Sequence, residues 1–434
     1  IVFDCLKKAL VLMMPVILIG CLASVFLNFP IPDYQEFLKT ALSGHLFAAL
    51  NWTYTATFGC FSLYLLLTIP IAFSQRVDSE KTPMYVMISF ISFLLIVYDG
   101  VNVVTLKSFE GVYMFPTMFI AFMSCGMLYG FFKLFGKIMS KRPAVGLKME
   151  FQTILVSIPP LLATVLLLVI LRLTVGEIFH YEAIIDIITK GFIKLFDVVG
   201  YGALGSFIYV LTNGLLCMFG IHGGNVLTPV LIGFYQNTFA NVAAVENGVT
   251  AGAIPFLFNS TMLDSFVFMG GAGCLLCLML ALLLNFKNAY NKRIFALGIL
   301  PSIFNISEIG YLGFPVIFNP IMFIPFVFTP VVMLGITSLA MYSGLVPICA
   351  VRSTWSLPVL FSGYYTTGTW RGVALQVVLL AIGTLIYLPF VKISQRLRTN
   401  MAKQNIKELS ELIKLKEQTG VSSNLKSTDK RIAD

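Results

Sequence analysis

The chain has 434 residues, of which 58% are hydrophobic and 11% charged, with a mean hydropathy of +0.90. An ordinary soluble domain carries about 25% charged residues, so this composition excludes most soluble enzymes, disordered chains and secreted disulfide scaffolds. The net charge of +9 is no nucleic-acid footprint: from Lys392 to Asp434 ten Lys/Arg stand against five Asp/Glu, leaving +4 for everything before. A polytopic membrane protein with basic loops and a basic tail is expected, with membrane lipid around it and no nucleic-acid partner.

The first apolar run, roughly Ala9 to Phe29, ends in the Pro-rich exit FPIPDYQ and lacks the small-residue cleavage site of a leader. It reads as a spanning helix, as do runs near residues 53–73, 84–97, 113–135 and 151–171. The stretch from Lys133 to Lys148 holds five basic residues and Arg76 and Lys81 mark another basic loop, whereas residues 33–45 and 99–110 carry one Lys each. Alternation then places both termini on the cytoplasmic side.

From about Glu177 to Gly205 apolar residues at helical spacing are broken by charges, which predicts an amphipathic helix in the membrane interface. Hydropathy becomes irregular from Leu211 to Gly273, where Asn213, His222, Asn225, Asn237, Asn241, Asn259 and Asp264 interrupt apolar runs. A second irregular stretch runs from Gly298 to Pro330, broken by Pro301, Pro315, Pro320, Pro325 and Pro330. Non-helical backbone is tolerated at membrane depth only where it is buried in protein or lines a cavity. Two such Gly/Pro-broken segments are the sequence mark of a transporter's binding site.

Spans resume near residues 321–341 and 372–391. Beyond Lys392 the chain turns charged, with Leu397, Met401, Ile406, Leu409 and Leu412 spaced as in a loosely amphipathic helix on the cytoplasmic face. Beginning at Ile1, without Met and close to an apolar run, the sequence reads as a piece of a longer polypeptide. Eight cysteines lie mostly in apolar stretches. Cys274 and Cys277 form a C-x-x-C, but zinc would need two more ligands and a redox pair would need solvent, so all eight are expected to be reduced packing residues with no metal.

Three stretches carry a resemblance: FGIHGGNV from Phe219 to Val226, GILPSIFNISEIGYLGFPVIFNPIMFIPFVFTP from Gly298 to Pro330, and WSLPVLFSGYYTTGTWRGVALQVVLLAIGTLIYLP from Trp355 to Pro389. Together they resemble the enzyme IIC component of bacterial phosphotransferase systems, in its lactose/cellobiose/diacetylchitobiose branch. MPVILIG, AFSQRVD and DSFVFMGGAG add weaker similarity, so that nearly the whole chain to Lys392 is covered. The resemblance implies an all-α polytopic membrane fold of about ten transmembrane helices with two re-entrant hairpins and interfacial amphipathic helices. Residues 1–175 would form a scaffold and dimer part, 176–392 the substrate-holding part, and 393–434 a charged cytoplasmic tail. It also implies a homodimer in the bacterial inner membrane that takes a disaccharide, and cytosolic enzyme IIB and IIA proteins that supply the phosphoryl group, with no cofactor in this chain.

The same residues carry chemistry of their own. Sugars are recognised by groups that exchange hydrogen bonds with hydroxyls and by an aromatic face under the ring. Asn305 and Glu308 are three apart and share a face of any helical turn. A carboxylate in so apolar a segment marks function by default, the rival reading being a structural carboxylate paired with Arg352 or His222. The resemblance implies that Glu308 binds hydroxyls near the one to be phosphorylated and, with His222, takes part in the proton transfer.

His222 alone, in an apolar setting, reads more readily as a satisfied core histidine, and it is the resemblance that favours a role in the site. Gly223 and Gly224 after it allow close approach of backbone to a ligand, and Asn225 either completes the sugar's hydrogen-bond shell or caps a half-helix. Trp355 either stacks on sugar or belongs to an interfacial aromatic belt. Ser307 and Ile309 stand where the family has Asn and Pro, and Arg352-Ser353-Thr354 where it has a Pro before the Trp, so the resemblance leaves sugar preference and transport competence open. His45 and His180 read as loop residues. Two other functions share these features: a membrane sugar sensor signalling through the tail, and an ion-coupled sugar transporter using Asp264.

Overall fold

In the computed structural model, residues 2–29, 31–97, 105–139, 149–178, 194–196, 198–250, 253–285, 289–314 and 316–418 are described. Among them the chain is helical, with no strand. The first bundle contains α1 (Val2–Leu27), α2 (Pro32–Thr40), α3 (His45–Thr57), α4 (Phe61–Val77), α5 (Thr82–Val97), α6 (Met114–Met139) and α7 (Met149–Ile178). In it α1 packs on α3 and α4, α4 on α5 and α6, and α7 closes against α5 and α6. The second contains α8 (Ala203–Met218), α9 (Thr228–Glu246), α10 (Leu275–Leu283), α11 (Ala289–Ile303), α12 (Glu308–Gly313), α13 (Pro320–Tyr342), α14 (Phe361–Thr367) and α15 (Trp370–Gln418). Here α13 and α10 both pack on α15, and α8 lies along α13.

The two groups share one hydrophobic core, in which Leu10, Met13 and Ile17 of α1 join Phe326 and Met333 of α13 and Met279 of α10. The join is made by α1, which packs against α12 and the edge of α11, and by the turn Gly223–Val226, which packs against α6 and the turn before it.

Six helical runs among the described residues are long and apolar enough to cross a bilayer: Val2–Leu27, Asp33–Val77, Pro116–Lys137, Ile154–Thr174, Pro320–Tyr342 and Trp370–Met401. The apolar helices α5 and α8, with 16 residues each, are shorter than the roughly 20 that a hydrocarbon core demands and are not among the six. Breaks also fall inside the second run, where Leu42 and Ser43 take positive φ between α2 and α3. Of the interfacial helix expected at 177–205, residues 179–193 lie outside the described residues, as do Pro315 and residues 419–434 of the tail.

Proline sits inside α1, α4, α7, α11, α13 and α15. In an isolated helix each would cost about 3 kcal/mol, but surrounding helices compensate the freed carbonyls in a membrane bundle. The 211–273 stretch is more regular than its hydropathy predicts, since α9 runs unbroken for 19 residues. Irregular backbone is concentrated instead in short stretches. One is the single turn Gly223–Val226, another the π-helical turn Leu263–Val267 with the glycines after it, and the third the linker between α11 and α12. All three converge on one place.

Candidate functional site

The turn Gly223–Val226 begins at His222, whose extended backbone (φ −68°, ψ 99°) makes it the N-cap. Its Nδ1 accepts the backbone N–H of Asn225 at 3.2 Å. An imidazole nitrogen that accepts a hydrogen bond carries no proton, so the ring proton sits on Nε2. Nε2 lies 3.2 Å from Oε1 of Glu308, the first residue of α12. The cap thus fixes the tautomer and aims its donor. The expected alternative, Asn225 as the cap, is replaced by His222 capping through Asn225's own amide.

Glu308 is 3% exposed and has no cation beside it among the described residues except this histidine. Arg352 does not reach it and lies instead over the Phe239 ring at 5.3 Å. A carboxylate can accept about four hydrogen bonds, and His222 supplies one. The remaining capacity faces a cavity of about 670 Å³ whose wall includes His222, Gly224, Asn225, Asn305, Ser307, Glu308 and Trp355. Small-molecule sites fall between about 300 and 1,000 Å³. Aromatic side chains supply much of the remaining surface: Tyr54, Phe58, Phe61, Tyr209, Tyr235 and Phe268.

Two sequence expectations change. Asn305 and Glu308 do not share a helical turn, because Asn305 lies before α12 in a left-handed conformation (φ +60°). From there its side chain ties three segments together: Oδ1 accepts from Gly270 N at 2.8 Å, while Nδ2 donates to Trp355 O at 2.8 Å and to Asp264 O at 3.3 Å. Gly223 stands behind the wall, its N–H donating to Cys217 Sγ at 3.3 Å, so it offers no free amide to the cavity. A Cβ there would lie 2.2 Å from Asn213 Oδ1, which explains the glycine.

Gly271 allows an equally close approach on the other side. At φ +84° it lets the π-turn segment pass under the α11–α12 linker, where a Cβ would meet Asn305 O at 2.6 Å and Ser307 Cβ at 2.8 Å. Trp355 is 41% exposed and lines the cavity. Ile309 is buried beside the site, His45 is exposed away from it, and His180 lies outside the described residues. All eight cysteines are buried and free, and no group of three metal-type ligands occurs among the described residues.

Glu110 and Thr228 also line the cavity and were not singled out in the sequence, where Asn213 stood only among the polar interruptions of its stretch and Asp264 there and as an ion-coupling candidate. Glu110 belongs to the first bundle's turn before α6. There Gly111 lies so close to Asn225 that a Cβ would be 2.2 Å from its Nδ2, while Met114 Sδ accepts the His222 N–H at 3.4 Å. No local pattern announces a contact between residues more than a hundred positions apart.

The family model "Phosphotransferase system, EIIC" matches residues 7–330. The chain belongs to that family. EIIC components are integral proteins of the bacterial plasma membrane that bind a sugar and work with cytosolic EIIB partners. Among relatives, this EIIC chain is 26% identical to the lichenan permease IIC component of Bacillus subtilis, over 94% of this chain and 90% of the relative. It is 26% identical to the oligo-beta-mannoside-specific EIIC component of the same organism, over 94% and 92%. With the cellobiose-specific EIIC component of Geobacillus stearothermophilus the figures are 27% identity over 89% and 88%. Among solved structures it matches ChbC, the IIC component of the N,N'-diacetylchitobiose-specific system, at 27% identity and a TM-score of 0.49, over 93% of this chain and 95% of that one.

Proposed function

We propose that this EIIC chain carries a β-linked disaccharide of the cellobiose type across the membrane and presents it to EIIB for phosphorylation. The observation that carries the reading is the cap-oriented His222 facing Glu308 in the wall of an aromatic cavity of about 670 Å³. Glu308 accepts hydrogen bonds from sugar hydroxyls, His222 and Asn225 complete that shell, and Trp355 offers a ring face. When the phosphoryl group leaves the EIIB thiolate, the S–P bond breaks and an O–P bond forms to the sugar hydroxyl. That hydroxyl's proton passes to Glu308, which His222 Nε2–H holds in place.

The broken segments around His222 and Glu308 are read as re-entrant, within a substrate-holding part of residues 176–392 that moves against a scaffold of residues 1–175. Both termini are placed in the cytoplasm, with 393–434 as a tail there, and two copies form a homodimer through the scaffold. Relatives named for cellobiose, lichenan and oligo-beta-mannoside favour phosphorylation-coupled transport over a sensor or an ion-coupled carrier. Titrating purified protein with cellobiose by calorimetry tests the reading: Glu308→Gln and His222→Ala should each weaken binding at least tenfold and abolish uptake. Uptake and binding that survive in both would reject the site.

A further inference from the structure

Among the described residues, the cavity wall holds three carboxyl groups, Glu110, Asp264 and Glu308, and no lysine or arginine. They reach it from separate parts of the fold: the turn before α6, the π-helical turn Leu263–Val267, and the start of α12. The one imidazole, His222, is engaged with Glu308. The Asp264 carboxyl group has neither a hydrogen bond nor an ion pair among the described residues, and the Tyr209 and Tyr235 side chains line the wall with it. Arg352 is outside the wall, over Phe239. Ser307 is 2% exposed and lines the same space with no hydrogen-bond partner for its hydroxyl among the described residues.

Glu110 is exposed and Asp264 partly buried, and a concave surface lined by carboxyl groups concentrates the field of those that are ionised inside it. Sugar hydroxyls are donors and suit such a wall. A phosphate dianion does not. At about 8 Å and an effective dielectric of about 20, each pair of like unit charges disfavours binding by roughly thirtyfold.

We propose that Asp264 and Glu110 are charge-selecting residues of the cavity: they admit neutral and amine-bearing disaccharides and refuse anionic ones, the phosphorylated form of the transported sugar included. This rests on the sugar-carrying reading above and adds the means of product release. The site that holds the sugar before phosphoryl transfer repels it afterwards, so discharge needs no competing solute and sugar phosphates in the cytoplasm do not occupy the carrier.

The test measures, on the full-length chain in nanodiscs, dissociation constants for cellobiose, for the β-1,4-linked glucosamine disaccharide at a pH where its amines are protonated, and for cellobiose 6′-phosphate. The amine analogue should bind at least as tightly as cellobiose and the phosphate at least tenfold more weakly. In Asp264→Asn or Glu110→Gln the phosphate-to-cellobiose ratio of dissociation constants should fall at least tenfold. A phosphate that binds the wild type within tenfold of cellobiose overturns the proposal, and so does an amine analogue weaker than cellobiose. A smaller fall of the ratio in both variants also overturns it. The wild-type series decides the matter even where a variant fails to fold, and a wild type that binds none of the three rejects the sugar-carrying reading itself.

Discussion

His222 and Asn305 show two ways in which a polar side chain serves a membrane cavity. His222 has one nitrogen bound by backbone and the other aimed at a buried carboxylate, so its removal leaves Glu308 without a donor. Loss of a partner to a buried charge costs about 1–3 kcal/mol or more, so His222→Ala should lower thermal stability in detergent as well as abolish binding. Asn305 makes three hydrogen bonds to backbone, each worth about 1 kcal/mol net. Asn305→Ala is therefore expected to destabilise the protein by about 3 kcal/mol, read as a lowered midpoint in a thermal melt. Ser307→Ala, which removes a hydroxyl with no protein partner, should weaken sugar binding while leaving the melt in place. A melt shifted equally by both would remove the distinction between clamp and contact.

At the scale of elements, the helices were more legible in the sequence than their junctions. The apolar runs near residues 9–29, 113–135, 151–171, 321–341 and 372–391 appear as α1, α6, α7, α13 and α15, because twenty apolar residues have few alternatives in lipid. The broken segments were also legible from their Gly, Pro and Asn content, and His222 and Glu308 were picked from them. What sequence could not supply was backbone handedness. Asn305 at φ +60° and the glycines after the π-turn place side chains that a helical repeat would put elsewhere.

Glu110 and Gly111 were illegible for a different reason, since their place in the wall depends on how one bundle docks on another. The junctions accordingly should be the sensitive points. Gly271→Ala places a Cβ against Asn305 O at a positive φ, and is expected to cost about 1–3 kcal/mol and to weaken cellobiose binding. Asn319→Ala removes the cap that accepts Ile321 N–H at 3.0 Å at the start of α13, costing about 1 kcal/mol. It lies outside the wall, so calorimetry should find cellobiose affinity within twofold of the wild type.

Across the whole molecule, the cavity draws its wall from both bundles: Tyr54, Phe58 and Glu110 from the first, His222, Asp264 and Glu308 from the second. In the proposed cycle, where the two parts move relative to each other, contacts such as Met114 Sδ to His222 N–H would be remade in each turn. Among the described residues, none beyond Trp355 contributes to the wall. A chain truncated after Met401 should then bind cellobiose with unchanged affinity, and a loss of binding would mean that the tail buttresses the site.

Helix α15 extends for 49 residues without interruption, about 74 Å at 1.5 Å per residue. A hydrocarbon core of about 30 Å accounts for less than half of that. The helix packs beside α10 and α13, and its charged turns continue the same helix beyond the apolar stretch Trp370–Met401. The length of α15 beyond about 30 Å is helix that the hydrocarbon core does not need, so a partner reaching the cavity from that side must fit around it.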